Sequence, residues 1–457
     1  MEKELSALKS NNTWTFMPLP HGKNPVGSKW IFRVKRHSDG TIERYKARLV
    51  AKGFTQEEGL DYNETFAPVV KMPTVRMVLA LAGSKEWPLY QEEVYMTIPP
   101  GYFQKEKQLG MVCKLNKSLY GLKQAPRQWF SKFADCLFSY GFTQSPNDHS
   151  LFTLNKDNEF IILLVYVDDI VMTGTSIPLI SAIKAFIHAE FRIKDLGLLK
   201  YFLGIEVARS SSGIFINQRK YALDLLTETG LLGCKPNTTP MDIKQKLALS
   251  TAPKLADPTT YRQLAANRVL RYIKLAPAQG LFYPARASLT LEDYCDADWA
   301  SCPVSRRSTT GYGIKLGPSL ISWRTRKQAV VSRSSAESEY RAMAQTCCEL
   351  VWIVAVLKDL RIFVSKPISL YCDNVAAGHI ARNPVYHERT KHIEIDCHVV
   401  RQHFVTGLIS PHFISSIDQP ADIFTKPLSA DLLRRLAVKL GVSNFLHGKL
   451  EEGNVTY

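Results

Sequence analysis

The chain has 457 residues, with 58 lysines and arginines against 42 aspartates and glutamates, which gives a formal charge of +16 and a pI near 9.3. This length excludes a single hydrophobic core and predicts two to four domains, while the positive charge favours a polyanionic partner such as nucleic acid. Nine cysteines without a C-x-x-C pair argue against a secreted disulfide framework, and no apolar run is long enough for a membrane span, so an intracellular protein of cytoplasm or nucleus is expected.

The chain opens with a strand-like pattern. Residues 30–34 and 45–50 flank the turn signal formed by Ser38, Asp39 and Gly40, which predicts a β-hairpin. Residues 23–52 contain nine basic residues against two acidic ones. The hairpin is therefore expected to present a basic face to phosphate groups.

Helical patterns follow over residues 75–82, over 128–140 and over 180–191. Between the last two, the apolar run of residues 161–172 is interrupted only by Tyr166, Asp168 and Asp169. This pattern predicts a hairpin whose turn presents two carboxylates to a cation, and a solvated turn is the alternative. Short strands are predicted over 199–208 and 213–217, and a polar, proline-containing linker over 235–258.

The pattern changes after residue 281. Strands with glycine turns are predicted at 291–294, 311–316 and 320–323, followed by one long helix, a strand at 368–372 and further helices. A hairpin sheet, a helix, a strand and a helix in this order indicate an independent α/β domain.

Several ordered motifs resemble the reverse transcriptase of copia-type LTR retrotransposons. They are KARLVAKG at 46–53, TFAPV at 65–69, SLYGLKQAPR at 118–127 and YVDD at 166–169. Later motifs resemble the remaining polymerase segments and the ribonuclease H domain of the same polyprotein: KDLG at 194–197, YFLGIE at 201–206, YCDADWA at 294–300, SSAESEY at 334–340 and ADIFTK at 421–426.

This resemblance implies an α+β and α/β multidomain chain. Right-hand polymerase fingers and palm are expected over 1–235, a linker and thumb or connection remnant over 236–288, a ribonuclease H-like domain over 289–430, and a C-terminal tail over 431–457. The implied partners are an RNA template, a DNA primer and an RNA/DNA hybrid, without a membrane. The implied cofactors are Mg²⁺ or Mn²⁺ in two-ion sites, held by hard carboxylate oxygens.

In the polymerase, the resemblance implies that Asp168 is the direct metal ligand and that Asp169 supports it. Gly121 and Gln124 are expected against the template and the incoming nucleotide. Lys46 and Arg48 are expected to face the nucleotide phosphates. A loop or a solvated hairpin face is the alternative for these four residues.

Two segments of the family pattern are missing. In the family, a strand bearing the first catalytic aspartate lies between the segments that here meet directly at Tyr90 and Gln91, and no aspartate occurs between Asp61 and Asp135. Asp61 matches a non-catalytic stretch, so DNA polymerisation is predicted to be absent or nearly so, and a central strand of the palm sheet to be lost. A second gap at 264/265 affects the thumb and connection region.

The resemblance implies four carboxylates for the ribonuclease H-like domain: Asp296, one glutamate of the long helix, Asp373 and a later acid. Ser334 and Glu337 match a helix capping box, whereas Glu339 falls at the margin of the apolar stripe and is predicted to point toward the sheet as the ligand. A helix cap is the alternative role for Asp373. The fourth acid is expected to be Asp422, with Asp396 and Glu394 as rivals and Asp298 as a neighbour.

Six of the eleven histidines lie between residues 379 and 412. The intervals 387 to 392 and 398 to 403 are five residues rather than the helical four, so zinc is not expected. Three hypotheses remain: an enzyme remnant with a crippled polymerase and a hydrolase that is still open to test, a non-catalytic nucleic-acid binder, and a decayed product that folds poorly.

Overall fold

The computed structural model describes residues 14–18, 28–36, 42–52, 56, 71–87, 89–94, 111–115, 123, 125–167, 169–191, 193–242, 259–382 and 394–444. The chain divides into two compact units. The first comprises Met1–Val70, Gln91–Met172 and Ser176–Gly197, and the second comprises Lys71–Tyr90, Thr173–Thr175 and Leu198–Tyr457.

The described residues form runs of strands separated by helices. The strands are β1 (Trp14–Pro18), β2 (Ser28–Arg36), β3 (Ile42–Ala51), β4 (Leu89–Val94), β5 (Met111–Leu115), β6 (Thr143–Gln144), β7 (Leu151–Lys156), β8 (Glu159–Tyr166), β9 (Asp169–Gly174), β10 (Ile193–Leu198), β11 (Tyr201–Phe202), β12 (Ile205–Ser210), β13 (Gly213–Asn217), β14 (Gln279–Pro284), β15 (Leu291–Asp298), β16 (Thr309–Leu316), β17 (Ser319–Lys327), β18 (Ile368–Cys372), β19 (Ile409–Phe413) and β20 (Val442–Asn444). The helices are α1 (Met72–Ser84), α2 (Ala125–Tyr140), α3 (Ile177–Phe191), α4 (Arg219–Glu228), α5 (Thr259–Leu275), α6 (Ser335–Asp359), α7 (Val375–Arg382), α8 (Glu394–Val405) and α9 (Ala430–Lys439), with 3₁₀ turns at Ser416–Asp418 and Pro420–Phe424.

The first unit contains most of a six-stranded sheet in the order β10-β4-β9-β8-β7-β6, in which β6, β7 and β8 pair antiparallel. The apolar run that the sequence placed before the acidic pair forms β8, and residues 161–165 are at most 1% exposed. Helices α2 and α3 pack together through aromatic rings, with Phe133 and Phe191 at 5.2 Å and Tyr140 and Phe186 at 4.7 Å between centroids. The predicted helices over 128–140 and 180–191 are thus present, each beginning three residues earlier.

The predicted loss of a central palm strand is wrong. Strand β4 lies between β10 and β9, and it runs through the junction of Tyr90 with Gln91. The backbone groups of β9 require hydrogen-bond partners on this side, and any extended segment can supply them. The residues that flank the gap therefore complete the sheet, although they do not restore the aspartate.

The second unit contains a sheet in the order β11-β12-β13-β14-β20, with antiparallel pairing throughout. Strands from before residue 235, from the predicted linker region and from the predicted tail thus share one sheet. The boundaries expected at 235 and 431 do not separate the compact units. The sequence predicts a tail over 431–457, but residues 430–444 form α9 and β20, because Leu436 and Leu440 bury their side chains in this unit.

A second sheet of this unit has the order β17-β16-β15-β18-β19. The first three strands are antiparallel, whereas β15, β18 and β19 are parallel. Helix α6 packs against β15 and β16 and contacts α8. It is long and apolar enough to cross a membrane, yet 56% of its most apolar window is buried, as is common for a core helix. Tyr340, Met343, Cys347 and Leu350 of the predicted stripe are fully buried.

Helix α1 belongs to the second unit, although the sequence placed it in the polymerase domain. It is apolar on nearly every side, so it must be buried on more than one face. Residues 77–83 are buried within this unit, and Gly83 lies against Tyr283. The Arg76 guanidinium lies 3.7 Å from the Trp323 ring centroid and donates to the Ile321 carbonyl at 3.0 Å. The chain before the first gap therefore contributes to the core of the later unit.

We expect Gly280→Ala to destabilise the chain by about 1–3 kcal/mol or more, because the new Cβ would lie 2.0 Å from the Ile216 carbonyl and separate β13 from β14. Gly378→Ala in α7 is the matched control. Its Cβ meets nothing within 4 Å, so a gain of about 0.5–1 kcal/mol is expected from helix propensity. Urea denaturation of both variants measures this difference. Equal stability of Gly280→Ala and the unaltered chain would contradict the pairing.

Candidate active site

Two neighbouring parallel strands bring the first pair of predicted acids together. Strand β15 pairs with β18 in a register that places Tyr294 opposite Tyr371. Asp296 and Asp373 each lie two positions farther along, so they stand side by side at this edge of the sheet. Asp296 is fully buried and Asp373 is half-buried. Asp373 directly follows the strand over 368–372 that the sequence predicts, so it lies where that strand ends.

The two glutamates at the start of α6 have different contacts. Glu339 points to the sheet, where its Oε1 accepts a hydrogen bond from the Ala297 amide at 3.1 Å. Glu337 accepts from the Arg333 amide at 2.7 Å and from Arg341 Nη2 at 3.0 Å, while its own amide donates to the Ser334 hydroxyl at 3.1 Å. Glu337 therefore stabilises the helix N-terminus, as the capping box predicted, and Glu339 lies beside Asp296.

The 3₁₀ turn Pro420–Phe424 brings in Asp422. Gln419, which precedes this turn, is fully buried; its Nε2 donates to the Cys295 carbonyl at 2.9 Å and its Oε1 accepts from the Ala421 amide at 3.2 Å. These two bonds attach the turn to β15. One carboxylate oxygen from each of Asp296, Asp373 and Asp422 then lies within 4.8 Å of the other two.

A lysine neutralises part of this acidic cluster. Lys426 Nζ lies 3.0 Å from Asp296 Oδ1 and 2.7 Å from Asp422 Oδ1. The Thr425 hydroxyl donates to Asp296 Oδ2. Burial lowers the pKa of Lys426, but the two carboxylates outweigh burial and raise it overall. The ammonium group thus occupies a position that a cation favours.

Two carboxyl groups at this site, those of Asp422 and Glu339, have raised pKa values. Burial, followed by the charge of Asp296, raises the pKa of Asp422 to about 7. Burial, followed by Cys372 and the charges of Asp296 and Asp373, raises the pKa of Glu339 to about 11. Like charges in a poorly solvated site repel each other, so the ionised cluster is stabilised by a bound cation.

The donor set fits hard divalent cations. All four predicted acids offer carboxylate oxygens, which are the ligands that Mg²⁺ and Mn²⁺ prefer. Asp373 is also oriented by a hydrogen bond of 2.7 Å from the Ser416 hydroxyl. The position of the Lys426 ammonium between two of these carboxylates supports cation binding at this point of the fold.

The rival acids lie elsewhere. Asp396 is 3.6 Å from Arg341 Nη1 and does not join the group formed by the three aspartates. The side chain of Glu394 lies outside the described residues. Burial and the charge of Asp296 raise the pKa of Asp298, as expected for a neighbour of the cluster. The geometry therefore favours Asp422 as the fourth acid.

For most of the predicted polymerase residues, the side chain lies outside the part of the chain that the structure describes. Asp169 is the first residue of β9 and is half-buried, whereas Asp168 lies outside the described residues. Lys46 and Arg48 lie in β3, opposite Arg33 and Ile31 of β2, so the predicted hairpin is confirmed. The side chains of Lys46 and Arg48 are not among those that the structure describes. Gly121 and Gln124 also lie outside it.

Several residues at the site were missed in the sequence. Lys426 and Thr425 belong to the ADIFTK motif, and their spacing from Asp422 was a signal that could have identified them. Gln419 and Ser416 carry no such signal, because their partners are distant in the chain. Cys372 directly precedes Asp373, and its Sγ lies 3.7 Å from Glu339 Oε2.

A profile described as reverse transcriptase (RNA-dependent DNA polymerase) matches residues 11–243, just over half of the chain. The chain is also 40% identical, over 97% of its length, to the "Retrovirus-related Pol polyprotein from transposon RE1" of Arabidopsis thaliana. The chain belongs to the copia-type reverse transcriptase family. The chain spans only 33% of the length of the RE1 polyprotein, and it is called the Pol fragment below.

Two further relatives of this Pol fragment agree. It is 41% identical over 97% of its length to the Pol polyprotein of transposon RE2 of Arabidopsis thaliana, and 33% identical over 93% to that of transposon TNT 1-94 of Nicotiana tabacum. It covers 34% and 36% of these polyproteins. The RE1 alignment extends over 491 positions, at least 34 more than this chain has residues, so the relative contains segments that this fragment lacks.

Among solved structures, a foamy viral protease-reverse transcriptase in complex with double-stranded DNA is 13% identical to the Pol fragment. The match covers 93% of this chain and 70% of the viral chain, with a TM-score of 0.23. At that score the two backbones differ too much for the comparison to bear on the fold.

We expect the metal-free Pol fragment to lose stability between about pH 4 and pH 7 through Asp422. Its folded-state pKa of about 7 exceeds the ordinary value of 3.8, so the folded state binds this proton more tightly than the unfolded chain. The resulting stabilisation is present below about pH 4 and disappears as the pH rises through about 7. Asp422→Asn should remove this component of the pH dependence.

Thermal unfolding of the full chain in EDTA at about pH 5 and about pH 8 measures the effect. Asp431→Asn is the control, because the Asp431 side chain is 95% exposed at the start of α9. The interpretation is wrong if Asp422→Asn retains the full pH dependence of the unaltered chain. Excess Mg²⁺ should raise the melting temperature most at the higher pH, where Asp422 is ionised before the ion binds.

Proposed function

We propose that this Pol fragment hydrolyses the RNA strand of an RNA/DNA hybrid and has lost DNA polymerisation. One observation supports the hydrolase above all others: Asp296, Asp373 and Asp422 converge within 4.8 Å, and Glu339 lies beside them on the central helix. Four carboxylates from separate elements do not gather in a buried position without an ionic partner. Neither gap in the sequence touches residues 290–426.

The arrangement of the second sheet adds support. Three antiparallel strands are followed by a long helix and by two parallel strands, in the order β17-β16-β15-β18-β19. This is the succession expected for the ribonuclease H-like domain that the family resemblance implies. The four acids lie at β15, at α6, after β18 and in the turn after β19, so each major element of the domain contributes one.

The residues of the chain have separable tasks in such a reaction. Asp296, Asp373 and Asp422 would hold divalent cations, with Glu339 completing the ligand set. When bound, two such cations activate a water molecule and stabilise charge on the phosphodiester. Gln419 holds Asp422 against β15, and the Ala297 amide orients Glu339. Lys426 must release at least one carboxylate oxygen when a cation binds.

Asp296→Asn and Glu339→Gln should each lower hybrid cleavage by at least about 100-fold, because each replaces a proposed carboxylate ligand by a neutral amide, a loss of several kcal/mol in the transition state. Glu337→Gln is the matched control, since it changes the same residue type two positions away in the capping box. The assay is cleavage of a labelled RNA/DNA hybrid by the full chain with Mg²⁺ or Mn²⁺. A hydrolase role is excluded if the folded chain cleaves no hybrid with either ion.

Two observations support the proposed loss of DNA polymerisation. No aspartate occurs between Asp61 and Asp135. The alignment with the RE1 polyprotein is at least 34 positions longer than this chain, so RE1 contains segments that this chain lacks. Strand β4 fills the position next to β9 with residues 89–94, but the family's aspartate is not among them.

Primer extension on poly(rA) with oligo(dT) and Mg²⁺ should therefore give little or no product. The missing metal ligand alone implies a rate loss on the order of 10² to 10⁴. Insertion of the family's aspartate-bearing segment between Tyr90 and Gln91 is the matched gain-of-function variant. Robust extension by the unaltered chain would disprove the loss of polymerisation.

A non-catalytic nucleic-acid binder is the second candidate. The formal charge of +16 supports it, as does the hairpin β2–β3, where Phe32 is 65% and Tyr45 is 77% exposed among basic residues. Exposed aromatic rings within a basic surface suit stacking with unpaired bases. Binding that weakens steeply with salt, without any hybrid cleavage, distinguishes this candidate from the hydrolase.

A further inference from the structure

A second group of metal-binding side chains lies next to the three aspartates. Glu339, Cys372 and Asp373 each offer one ligand atom, and these atoms lie within 4.8 Å of one another. Cys372 Sγ is 3.7 Å from Glu339 Oε2. This group shares Asp373 with the aspartate group but brings in sulfur, a donor that the proposed hydrolase does not use.

The position of the thiol follows from the strand that bears it. In β18 the side chains of Ile368, Leu370 and Cys372 are buried, while those between them are half-buried. Alternation therefore directs Cys372 to the side where Glu339 of α6 lies. Asp373 follows at the end of the strand and is half-buried, so the group has one ligand that solvent ions can reach.

The donor set differs in chemical class from three aspartates. Mg²⁺ and Mn²⁺ bind carboxylate oxygens, whereas a thiolate selects Zn²⁺ or Cd²⁺. One sulfur and two carboxylates provide three of the four ligands that a tetrahedral ion of this class takes, and water supplies the fourth. The histidine spacing that argued against zinc has no bearing here, because these ligands come from two separate elements.

We propose that Glu339, Cys372 and Asp373 bind one thiophilic divalent cation, Zn²⁺ or Cd²⁺, at a site that overlaps the three-aspartate group at Asp373. Binding replaces the Cys372 thiol proton and any proton on Glu339, and both are released to solvent. Since Glu339 and Asp373 then serve this ion, it competes with Mg²⁺ for them and inhibits hybrid cleavage. The inhibition rests on the proposed hydrolase, whereas the binding does not.

Binding is tested by titrating the full, reduced chain with Cd²⁺ in Mg²⁺-free buffer and following the ultraviolet sulfur-to-cadmium charge-transfer band. Cys372→Ser should lose one equivalent of this signal at the tight-binding end of the titration. Cys348→Ser is the matched control, because this substitution also removes one thiol and Cys348 is exposed on α6. Identical titrations of the two variants would overturn the proposal.

Glu339→Gln is a second variant that keeps every thiol, so a change in its titration cannot come from a lost cysteine or from repacking around serine. We expect its tight Cd²⁺ equivalent to weaken by at least about tenfold. Glu337→Gln should titrate like the unaltered chain, because Glu337 contacts Arg333 and Arg341 instead. Unchanged Cd²⁺ binding in Glu339→Gln would refute a three-ligand site.

Inhibition is tested separately. Cd²⁺ at the concentration that fills the tight equivalent should suppress Mg²⁺-dependent hybrid cleavage, and Cys372→Ser should require about tenfold more Cd²⁺ for the same fractional inhibition. Equal sensitivity would contradict competition at this site. If the chain cleaves no hybrid at all, the proposed hydrolase fails, while the Cd²⁺ titrations still decide whether the thiolate site exists.

Discussion

Electrostatic repulsion among buried carboxylates is the constraint on which the second unit of this Pol fragment depends. Asp296 and Asp422 are nearly inaccessible to water, and burial together with the charge of Asp296 raises the pKa of Asp422 to about 7. The Lys426 ammonium and the Thr425 hydroxyl donate hydrogen bonds to Asp296. The Ala297 amide donates a hydrogen bond to Glu339. Gln419 then holds the acidic turn in place against β15. The polar partners around the cluster therefore serve to make four acids tolerable in one small volume.

Local regularity made part of this site predictable. A capping box identified the structural role of Glu337, and helical periodicity directed Glu339 toward the sheet; both arguments need only a few neighbouring residues. The end of a strand likewise marked Asp373. The contact of Lys426 with Asp296 bridges 130 positions, so no local pattern reveals it, and only the family motif drew attention to that segment. The contact between the Cys372 thiol and Glu339 could not be predicted either, because the alternating pattern of β18 shows that Cys372 is buried but not which residue it contacts.

The two junctions show why a backbone survives changes that remove chemistry. Tyr90 and Gln91 meet inside β4, and the second junction at 264/265 lies inside α5. Strand and helix hydrogen bonds join backbone groups that every non-proline residue possesses, so a segment with suitable propensity continues the element across a missing stretch. A specific side chain has no such substitute. The missing aspartate is visible in the sequence, whereas the expected loss of the strand is wrong, because side-chain motifs carry no information about which backbone fills a sheet position.

The burial of α1 in the second unit sets an order of events during synthesis. Its apolar surface is covered by β13, β14, β17 and α6, and the last of these ends at Asp359, 275 residues after Ser84. At a translation rate of roughly 5–20 residues per second, this helix would wait roughly 15–55 seconds for its packing partners. During that interval an apolar helix is exposed on a nascent chain, where it is a natural binding site for chaperones. A fragment that begins at residue 285 would lack this helix as well as β13 and β14, leaving the matching surface of α6 and β17 open to aggregation.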